Sequence, residues 1–322
     1  MSAVKPRLLY YSLLSYQPEN VALMRANFDV VERTDPRDDD DETLATLDAC
    51  CAPLGFPFDA AKMDRCPRLR AIVTNTTGVP HIDMDAAAAR DIRVFSLKDE
   101  QAFLDTITPT AEHAWGLLLA LSRNVPWSFD AVKAGSWNRF DFGAPAMLSR
   151  MRLGVIGYGR LGRKVARFGQ AFGMPVGFYD PFKNADEIAT KVDSLEQLVA
   201  TNDVISLHVP ALPETAGLID ANTIAAFKPG AWFINTARAE LVDEAALLDA
   251  LKAGRLAGYA GDVLAGEFDP TFDVGAHPLV RYAREHRNVL LTPHIGGSTY
   301  DAWRETQGRV LQMAVDFFEA KR

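Results

Sequence analysis

The sequence has few cysteines, no long apolar run and no excess of positive charge, and each absence excludes a class of protein. Its three cysteines, Cys50, Cys51 and Cys66, cannot all pair with one another and have no metal-ligand spacing, so we expect no disulfide framework, no metal site and a reducing compartment. No apolar stretch approaches the ~20 residues that cross a bilayer. The net charge of −8 argues against nucleic acid or an anionic membrane as a main partner.

The composition is that of an ordinary globular protein. At 322 residues, with 48% hydrophobic and 24% charged residues, the chain is long enough for about two domains. The N-terminal residues MSAVKPRLLYYSLLSY show no pattern of a signal-peptide cleavage site, so we expect a cytoplasmic protein. The acidic run at residues 35–42 is typical of a solvated loop or helix start, with cation binding as the alternative.

The stretch from Met151 to Pro181 carries the strongest signal. A strand-like run, Leu153–Ile156, precedes Gly157, Gly159 and Gly162 in G-x-G-x-x-G spacing, and an amphipathic helical stretch follows. In such a turn the first glycine permits the sharp bend, the second lets the backbone approach a pyrophosphate, and the third lets the helix pack on the strand. The helix N-terminus adds unpaired N–H groups for the anion.

Asp180 follows the next strand-like run, Val176–Tyr179, and lies 18 residues past Gly162. A carboxylate at this strand end accepts hydrogen bonds from ribose hydroxyls and repels a 2′-phosphate. Bare glycine spacing is often coincidental, but a strand, a helix and an acid in register predict a dinucleotide site that prefers NAD to NADP.

Strand and helix patterns alternate through most of the chain. Before residue 107 the alternation predicts a parallel sheet, and from Arg152 about six further strand patterns predict a doubly wound sheet. Between them TPTAEHAWGLLLALSRNV, opened by Thr108, Pro109 and Glu112, predicts one long helix. A final helix, Thr299–Lys321, is expected to pack back on the first domain. The predicted fold class is α/β with two Rossmann-like domains, a doubly wound parallel-sheet domain and a smaller flavodoxin-like one.

Polar residues gather where the strands of the second sheet end, and ligands of such sheets bind beyond these carboxyl ends. Singly, each has an ordinary explanation: a surface ion pair for an arginine, a satisfied loop position for a histidine, a solvated turn for an acid. Together they predict one cleft. The residues are Asp180, His208-Val-Pro210, Asn235-Thr-Ala-Arg238, Asp262 with Glu267, and Pro293-His294.

Several segments resemble the D-isomer-specific 2-hydroxyacid dehydrogenase family, which includes D-3-phosphoglycerate dehydrogenase and glyoxylate/hydroxypyruvate reductases. The resemblance covers about Leu69 to the C-terminus. It lies in NTTGVPHIDMDAA (75–87), TAEHAWGLLLALSR (110–123), VIGYGRLG (155–162), YDP (179–181), SLHVPALPETAGLI (206–219), INTARAELVDEAALLDAL (234–251), GDVLAGE (261–267) and LTPHIGGST (291–299).

The resemblance implies an organisation and an activity. Residues 1–106 with 297–322 would form a discontinuous substrate-binding domain, and residues 107–296 an NAD-binding Rossmann domain. The enzyme would be an NAD-dependent oxidoreductase acting on the CH–OH group of a D-2-hydroxy acid, or on the 2-keto acid in reverse, with NAD or NADP as acceptor.

The catalytic roles implied by the resemblance agree with elementary chemistry. Arg238 would grip the substrate carboxylate with two parallel hydrogen bonds and polarise the neighbouring carbonyl. His294 would exchange the hydroxyl proton, since an imidazole with an unperturbed pKa of about 6.5 changes charge near neutral pH. Glu267 would orient that imidazole and stabilise its charged form.

The resemblance also implies a set of cofactor contacts around the glycine turn and the strand ends. Arg160 and Leu161 match pyrophosphate-contacting positions, His208-Val-Pro210 flanks the adenine, and Thr236, Ala237 and Asp262 border the nicotinamide, which Thr110 also reaches. The full set is Thr110, Gly157, Gly159, Arg160, Leu161, Gly162, Asp180, His208, Val209, Pro210, Thr215, Thr236, Ala237, Arg238, Asp262, His294, Gly296 and Gly297.

On the substrate side, the resemblance implies that the backbone N–H groups of Gly78 and Val79 receive the carboxylate together with Arg238. We expect His81 and Asp83 to stabilise that loop and the cap of the following helix. Glu112 and His113 are interpreted as packing at a helix start.

Two positions and one segment depart from the family pattern. Ala239 replaces the usual glycine after the arginine, and Phe268 replaces the usual proline after the glutamate. The segment Cys51–Phe58, CAPLGFPF, is apolar where phosphate-recognising relatives have a basic loop. Because a phosphate clamp needs Arg or Lys, we expect a substrate other than phosphoglycerate. Packing of this loop beneath the cofactor domain is the alternative explanation.

Two other functions stay open at this point. One is oxidation of a small anion such as formate or phosphite, which Arg238 would also bind. The other is a non-catalytic NAD-sensing interaction protein. Apolar residues in Trp115–Leu121 and Trp127–Phe129 favour a two-fold homodimer, with burial inside the monomer as the alternative.

Overall fold

The computed structural model describes residues 4–269 and 271–320 and divides the chain into two compact units. Unit 1 comprises Met1–Ile107 with Ser298–Arg322, and unit 2 comprises Thr108–Gly297. Both divisions come one residue later in the chain than the predicted boundaries. The predicted domains and the predicted final helix also include residues 1–3, Pro270 and residues 321–322, which lie outside the described residues.

Unit 1 alternates short strands and helices, as its sequence pattern predicts. Its strands are all parallel and run in the order β2-β1-β3-β4-β5, which is the flavodoxin-like order. The elements are β1 (Arg7–Tyr11), α1 (Pro18–Asn27), β2 (Asp29–Arg33), α2 (Asp41–Leu44), β3 (Ala49–Cys51), α3 (Ala60–Asp64), β4 (Ala71–Val73), α4 (Met84–Ala89), β5 (Arg93–Phe95) and α5 (Gln101–Leu104).

Unit 2 is larger and also alternates. The seven strands described for it are all parallel and lie in the order β12-β11-β10-β9-β6-β7-β8. Successive strands are added in one direction from β6 to β8 and in the other from β9 to β12, as in a doubly wound sheet. The elements are α6 (Pro109–Ser122), α7 (Val125–Lys133), β6 (Leu153–Ile156), α8 (Arg160–Ala171), β7 (Val176–Tyr179), β8 (Thr190–Lys191), α9 (Leu195–Thr201), β9 (Val204–Leu207), α10 (Ala221–Ala226), β10 (Ala231–Asn235), α11 (Glu244–Lys252), β11 (Leu256–Gly261), α12 (Pro278–Ala283) and β12 (Val289–Leu291).

The last helix, α13 (Tyr300–Glu319), belongs to unit 1. It packs on α1, where the Asn20 side chain donates to the Arg304 carbonyl at 2.9 Å and the Gln307 side chain accepts from the Gln17 N–H at 2.9 Å. Val310, Leu311 and Ala314 are fully buried in the same core. The predicted α/β class with two parallel-sheet Rossmann-like folds is therefore confirmed.

Each sheet is covered by helices on both faces, because its strands are apolar on both sides. In unit 1 one core lies under α1, α5 and α13, and the other lies under α2, α3 and α4. In unit 2 one core lies under α6 and α8, and the other under α9 to α12. Polar side chains are thereby displaced to the strand ends. No helix in the described part of the chain is long and apolar enough to cross a membrane.

Two local predictions were wrong. The single helix expected from Thr108 onward is interrupted at Asn124, which adopts a left-handed conformation (φ 55°), and α7 begins after it with a proline in its first turn. The residue pattern also predicts a first strand over Arg7–Leu14, but β1 stops at Tyr11, since Ser12–Leu14 form a 3₁₀ turn closed by the left-handed Ser15. Both breaks depend on single residues with positive φ that periodicity does not reveal.

Candidate active site

The glycine turn between β6 and α8 is built so that a side chain fits at only one of its three glycines. At Gly157 (φ +86°) a Cβ would lie 2.9 Å from the His208 carbonyl oxygen, and at Gly162 it would lie 2.0 Å from the Gly157 carbonyl oxygen. At Gly159, which caps α8, a Cβ would meet nothing within 4 Å. The turn is therefore closed on its inner side and open at the helix N-terminus, where Arg160 and Leu161 begin α8. This geometry fits a pyrophosphate.

Asp180 lies at the carboxyl end of β7 and holds the same turn. One carboxylate oxygen accepts from the Tyr158 N–H at 2.8 Å and the other accepts from the Phe182 N–H at 2.8 Å. The residue is only 9% exposed. Since each carboxylate oxygen has two lone pairs, capacity remains for ribose hydroxyls.

Tyr158 is a residue whose importance the motif did not reveal, because it occupies the variable position between the first two glycines. Its ring stacks on Phe178 with centroids 3.9 Å apart, and its hydroxyl donates to Asp186 at 2.8 Å. Asp186 also pairs with Arg163 of α8 at 2.8 Å. The turn is thus fixed to the sheet by its own aromatic residue.

The end of β9 lies against the glycine turn. Nε2 of His208 is 2.8 Å from the Ser206 hydroxyl, and burial lowers the pKa of His208 to about 4. The Thr215 hydroxyl accepts from the Leu212 N–H at 2.8 Å and donates to the Pro210 carbonyl at 2.7 Å. This strand is therefore followed by a neutral histidine, by Val209 and Pro210, and by a loop whose polar groups bond to one another. These surroundings fit an uncharged ring such as adenine.

The loop after β10 presents Arg238. The fully buried Asn235 accepts from the Ala237 N–H at 2.9 Å and donates to the Arg238 carbonyl at 3.0 Å. The Arg238 guanidinium donates to the Ala237 carbonyl at 2.7 Å, and no carboxylate of the described residues lies within 4.0 Å of it. The Thr236 hydroxyl oxygen is buried without a hydrogen-bond partner among these residues. An orphaned polar atom at this strand end fits a polar group of a bound cofactor.

Asp262, at the end of β11, holds the loop that follows β12 by hydrogen bonds. It is 2% exposed and accepts from the Thr292 hydroxyl at 2.5 Å, the Ile295 N–H at 2.9 Å and the Gly296 N–H at 2.7 Å. Burial alone would raise the pKa of Asp262, but the hydrogen bonds it accepts hold it below the usual value. A Cβ on Gly296 would lie 2.8 Å from this carboxylate and 3.5 Å from Thr110. Asp262 thus fixes the loop that carries His294, and Gly297 continues that loop to the end of unit 2.

His113 takes part in this network, so its interpretation as helix-start packing was wrong. Its Nε2 lies 2.9 Å from the Thr292 hydroxyl and 3.3 Å from the Asp262 carboxylate. Sequence reasoning missed it because the contact joins residues 149 positions apart (262 − 113). Glu112, by contrast, accepts from the Thr108 hydroxyl at the start of α6, as expected of helix-start packing.

Glu267 and His294 form a carboxylate–imidazole pair. The Glu267 Oε1 lies 2.9 Å from His294 Nδ1, and the two side chains are 17% and 30% exposed. His294 has φ 53°, and its N–H donates to the Thr292 carbonyl at 3.0 Å. With Nδ1–H donated to the carboxylate, Nε2 is the atom left to exchange a proton with a ligand. The structure thus brings Glu267 and His294 together, one from the end of β11 and the other from the end of β12.

Gly78 and Val79 lie in unit 1, in the loop between β4 and α4. The Thr76 hydroxyl donates to the Gly78 carbonyl at 2.6 Å, and the Val79 carbonyl accepts from the Ile82 N–H at 3.1 Å. The expected helix cap is confirmed, because Asp83 accepts from the Ala86 N–H at 2.9 Å. His81 is buried, and burial lowers its pKa.

The apolar loop Cys51–Phe58 is attached to this same region of unit 1. The Phe58 N–H donates to the His81 carbonyl at 2.7 Å. Two cations lie against the loop, with the Arg37 guanidinium 5.7 Å from the Phe56 ring centroid and the Lys62 ammonium 5.0 Å from that of Phe58. Arg37 pairs with Asp35 and Lys62 pairs with Asp39, so both charges are already compensated.

Comparison with known proteins supplies the decisive observation. Residues 115–296 match the family described as D-isomer specific 2-hydroxyacid dehydrogenase, NAD binding domain. A D-3-phosphoglycerate dehydrogenase of Mycobacterium bovis is 37% identical over 270 residues, which cover 82% of this chain and 48% of that protein. The chain belongs to the D-isomer specific 2-hydroxyacid dehydrogenase family.

Solved structures agree with this family assignment. The D-lactate dehydrogenase of Aquifex aeolicus, complexed with NAD and lactic acid, is 28% identical with a TM-score of 0.81 and covers 98% of this chain and 96% of that one. The NAD-dependent formate dehydrogenase of Staphylococcus aureus, in complex with NAD, is 26% identical with a TM-score of 0.79 and covers 99% and 97%. The predicted NAD-binding domain is confirmed. The chain spans about half the length of the curated relatives it matches.

Within the family pattern, the two substituted positions have distinct surroundings. Ala239 is 3% exposed and begins the 3₁₀ turn after Arg238, so its methyl group is accommodated in the core. Phe268 is 38% exposed, and its ring centroid lies 5.6 Å from that of His294. The substitution by phenylalanine therefore places an aromatic face beside the imidazole.

Proposed function

We propose that this chain is an NAD-dependent D-2-hydroxyacid dehydrogenase that transfers a hydride between nicotinamide and a small 2-keto acid or D-2-hydroxy acid. The observation that supports it most is the 2.9 Å hydrogen bond between Glu267 and His294 on the strand-end loops of an NAD-binding sheet that also presents Arg238. These three residues are the proposed catalytic group. NAD supplies the acceptor of the hydride, and NADH its donor.

Arg238 would anchor the substrate. A guanidinium without an acidic partner retains donors for a bidentate grip on a carboxylate and places positive charge beside the neighbouring carbonyl. As negative charge grows on that carbonyl oxygen, the fixed cation stabilises it. The buried hydrogen bonds from Asn235 hold the loop in the conformation that presents Arg238. Gly78 and Val79 remain the predicted substrate contacts of unit 1.

His294 would move the proton. In reduction its Nε2–H gives a proton to the developing alkoxide, and in oxidation the neutral Nε2 takes the proton from the hydroxyl. Glu267, bonded to Nδ1, keeps the ring in the required tautomer and stabilises the imidazolium. Phe268 covers one side of the imidazole and limits its contact with water.

We further propose that the substrate carries no phosphate. Both cations beside the loop Cys51–Phe58 are compensated by acids, Arg37 by Asp35 and Lys62 by Asp39 at 2.7 Å. A phosphate ester would have to compete with these acids for its counter-charge. The loop instead offers partly exposed apolar groups at Leu54 and Phe56.

The test is NADH and NADPH consumption with a panel of glyoxylate, hydroxypyruvate, pyruvate and a phosphorylated keto acid. We expect turnover of a small unphosphorylated acid with NADH. His294→Ala should reduce kcat/KM by about 10²–10⁴-fold, as loss of a general acid–base does. His286→Ala, which removes an exposed histidine that stacks on Tyr282, is the matched control and should be unaffected. An inert panel, or a His294→Ala variant as active as the parent, contradicts the proposal.

A second candidate within the same fold is oxidation of a small anion. The formate dehydrogenase of Staphylococcus aureus shares the fold over nearly the whole chain, and Arg238 would bind any small anion. Reduction of NAD that depends on formate or phosphite, without keto-acid turnover, would establish it. A non-catalytic NAD-sensing role would be indicated by tight NADH binding, measured by fluorescence quenching, with every substrate inert.

We also propose a cytoplasmic homodimer. Trp115 of α6 is buried in unit 2 against Phe168 and Phe172, so this helix face is used within the monomer. Apolar side chains of α7 and the following segment are exposed instead, namely Val125, Phe129, Val132, Trp137, Phe140 and Met147. Such a patch is typical of an interface. Sedimentation equilibrium should show twice the 35.4 kDa chain mass, and a stable 35.4 kDa species would reject the dimer.

A further inference from the structure

A second carboxylate–imidazole pair lies next to the turn that carries Glu267. Oε2 of Glu244, the first residue of α11, is 3.1 Å from Nε2 of His277, which caps α12. Their side chains are 14% and 8% exposed, less than those of Glu267 and His294. A further hydrogen bond of Glu244 reaches the turn that carries Glu267.

The hydrogen bonds of the turn that carries Glu267 connect it to Glu244. Residues 264–267 form a β-turn in which the Glu267 N–H donates to the Leu264 carbonyl at 3.1 Å and Gly266 adopts φ +80°. A glycine with positive φ in the third position is typical of a type II turn. The N–H of the second residue, Ala265, has no acceptor within such a turn. It donates to Oε1 of Glu244 at 3.2 Å.

The hydrogen bonding also indicates the charge of the pair. His277 Nδ1 is buried and has no partner among the described residues. A buried N–H without an acceptor costs about 1–3 kcal/mol, which favours a neutral His277 with its single proton on Nε2 facing Glu244. The pair then carries the one negative charge of Glu244. Burial raises the pKa of Glu244 and the Glu267 carboxylate acts in the same direction, while His277 and the Ala265 N–H oppose them.

Other ionisable groups around the pair are few. On the elements packed against α11, Tyr259 of β11 is fully buried, and its pKa is raised by burial and then by Glu244. Asp243 caps α11, Asp262 is engaged with the loop after β12, and the charged residues of the α12 segment are exposed. The groups concerned are Tyr259, Asp243, Asp262, Glu267, Arg281, Tyr282 and Arg284. Of these groups, Glu267 lies on the turn that Glu244 holds through the Ala265 N–H.

We propose that Glu244, held by His277, is a positioning residue for the Glu267–His294 pair: its carboxylate anchors the turn through Ala265, and its negative charge favours a proton on His294. The contribution of Glu244 to catalysis rests on the proposed function, whereas its coupling to the Glu267–His294 pair does not. A negative charge near an acid–base pair stabilises the cationic imidazole.

The closing experiment follows the histidine ring nitrogens of the ligand-free full chain by ¹⁵N NMR from pH 5 to 9, with His294 identified by its loss in His294→Gln. Glu244→Gln keeps an acceptor for the Ala265 N–H and removes the charge. We expect it to lower the midpoint of the His294 titration by about half a pH unit. Glu244→Ala removes the acceptor too, and should also reduce kcat about tenfold or more with little change in the KM for NADH.

Further variants keep the proposal falsifiable if Glu244→Gln does not fold. His277→Leu removes the donor to Glu244, which makes that carboxylate easier to protonate, so the His294 midpoint should again fall. His286→Gln, an exposed histidine away from the turn, should leave it unchanged. A parental His294 titration in Glu244→Gln, or in His277→Leu if Glu244→Gln does not fold, overturns the proposal. Because the titration uses no substrate, an inert keto-acid panel with a shifted titration would overturn the proposed function alone.

Discussion

The carboxyl ends of the two parallel sheets carry the same kinds of charged residue and use them differently. In unit 1, Asp39 pairs with Lys62 at 2.7 Å, and both contact the Tyr11 hydroxyl at the end of β1. In unit 2, Asp180 accepts from two backbone N–H groups, and Asp262 accepts from the Ile295 and Gly296 N–H groups and from the Thr292 hydroxyl. The acid of unit 1 is thus paired with a lysine, whereas these two acids of unit 2 hold loops without a lysine or arginine partner among the described residues.

Under the proposed function, this difference would leave only the end of the second sheet suited to proton and hydride chemistry. An acid that pairs with a lysine consumes the cation that a ligand would need. An acid that binds backbone amides orders a loop without consuming a cation. The Arg238 loop is ordered by the neutral side chain of Asn235, so Arg238 also keeps its charge for a ligand. Fold similarity between the units therefore says little about their chemistry.

Breaking the ion pair of unit 1 should give the largest effect. Lys62 and Asp39 have side-chain exposures of 11% and 4%, so Lys62→Met would leave Asp39 buried without its cation. Loss of one partner from a buried pair costs about 3–5 kcal/mol of unfolding free energy. Urea unfolding followed by circular dichroism measures it, and NADH affinity without denaturant should stay within about twofold of the parent because the pair belongs to unit 1.

The matched control for that variant is a pair on the surface of the same unit. Arg25 and Glu32 lie 3.2 Å apart with 63% and 48% exposure. Arg25→Gln should change the unfolding free energy by less than about 1 kcal/mol. Equal losses in the two variants would show that the buried pair has no special structural role and would remove the contrast between the sheet ends.

Much of this fold could be predicted from the sequence, because short apolar strands stand between glycines and polar residues. β6 and β7 have the predicted bounds, since each lies between clear turn or cap residues. β8 was missed because Thr190–Lys191 is two residues long and exposed, with no apolar pattern. α12 was missed because six residues are too few to show a helical period.

Replacing Asp180 should give the next largest effect. The variant tests two proposed roles of this acid, which are to order the glycine turn and to repel a 2′-phosphate. Asp180→Ser removes the carboxylate that accepts from the Tyr158 and Phe182 N–H groups, and with it the charge predicted to face the ribose. Hydrogen bonds to a charged group contribute roughly 1.5–3 kcal/mol each, so NADH affinity should fall at least tenfold. NADPH should not gain affinity over the parent, because the turn that receives the pyrophosphate is loosened. Fluorescence titration with each cofactor measures both effects.

The exposed Asp193, which follows β8 in the same half of the sheet, provides the control. Asp193→Asn should leave both cofactor affinities unchanged. If Asp180→Ser bound NADPH tightly while retaining its affinity for NADH, the acid would be a charge filter only. In that case, the contrast between acid–backbone and acid–lysine contacts would lose its functional meaning.

The candidate site was predictable to the extent that motifs carry it. Strand-end positions such as Arg238 and His294 could be named because parallel strands end at one edge. His113, Glu244 and His277 could not be assigned, because their contacts join distant segments. Tyr158 occupies a variable motif position. What the sequence does not show is which polar side chains bind each other and which bind backbone, and this is the property that distinguishes the two sheet ends.

The smallest expected effect concerns His208, a titratable group of unit 2 that is held neutral. Burial lowers its pKa to about 4, against about 6.5 in an unfolded chain. Between these values the unfolded chain binds a proton that the folded chain does not, so stability falls as the pH falls from 6.5 towards 4. Because the residue is partly exposed, we expect this contribution to reach only about 1 kcal/mol at pH 5.

Between pH 7.5 and pH 5, His208→Gln should therefore lose about 1 kcal/mol less unfolding free energy than the parent, measured by urea unfolding. His286→Gln should behave like the parent. If His208→Gln kept the parental pH dependence, His208 would have to be solvated like a surface histidine. The strand end predicted to flank the adenine would then be less enclosed than the hydrogen bond between His208 and Ser206 indicates.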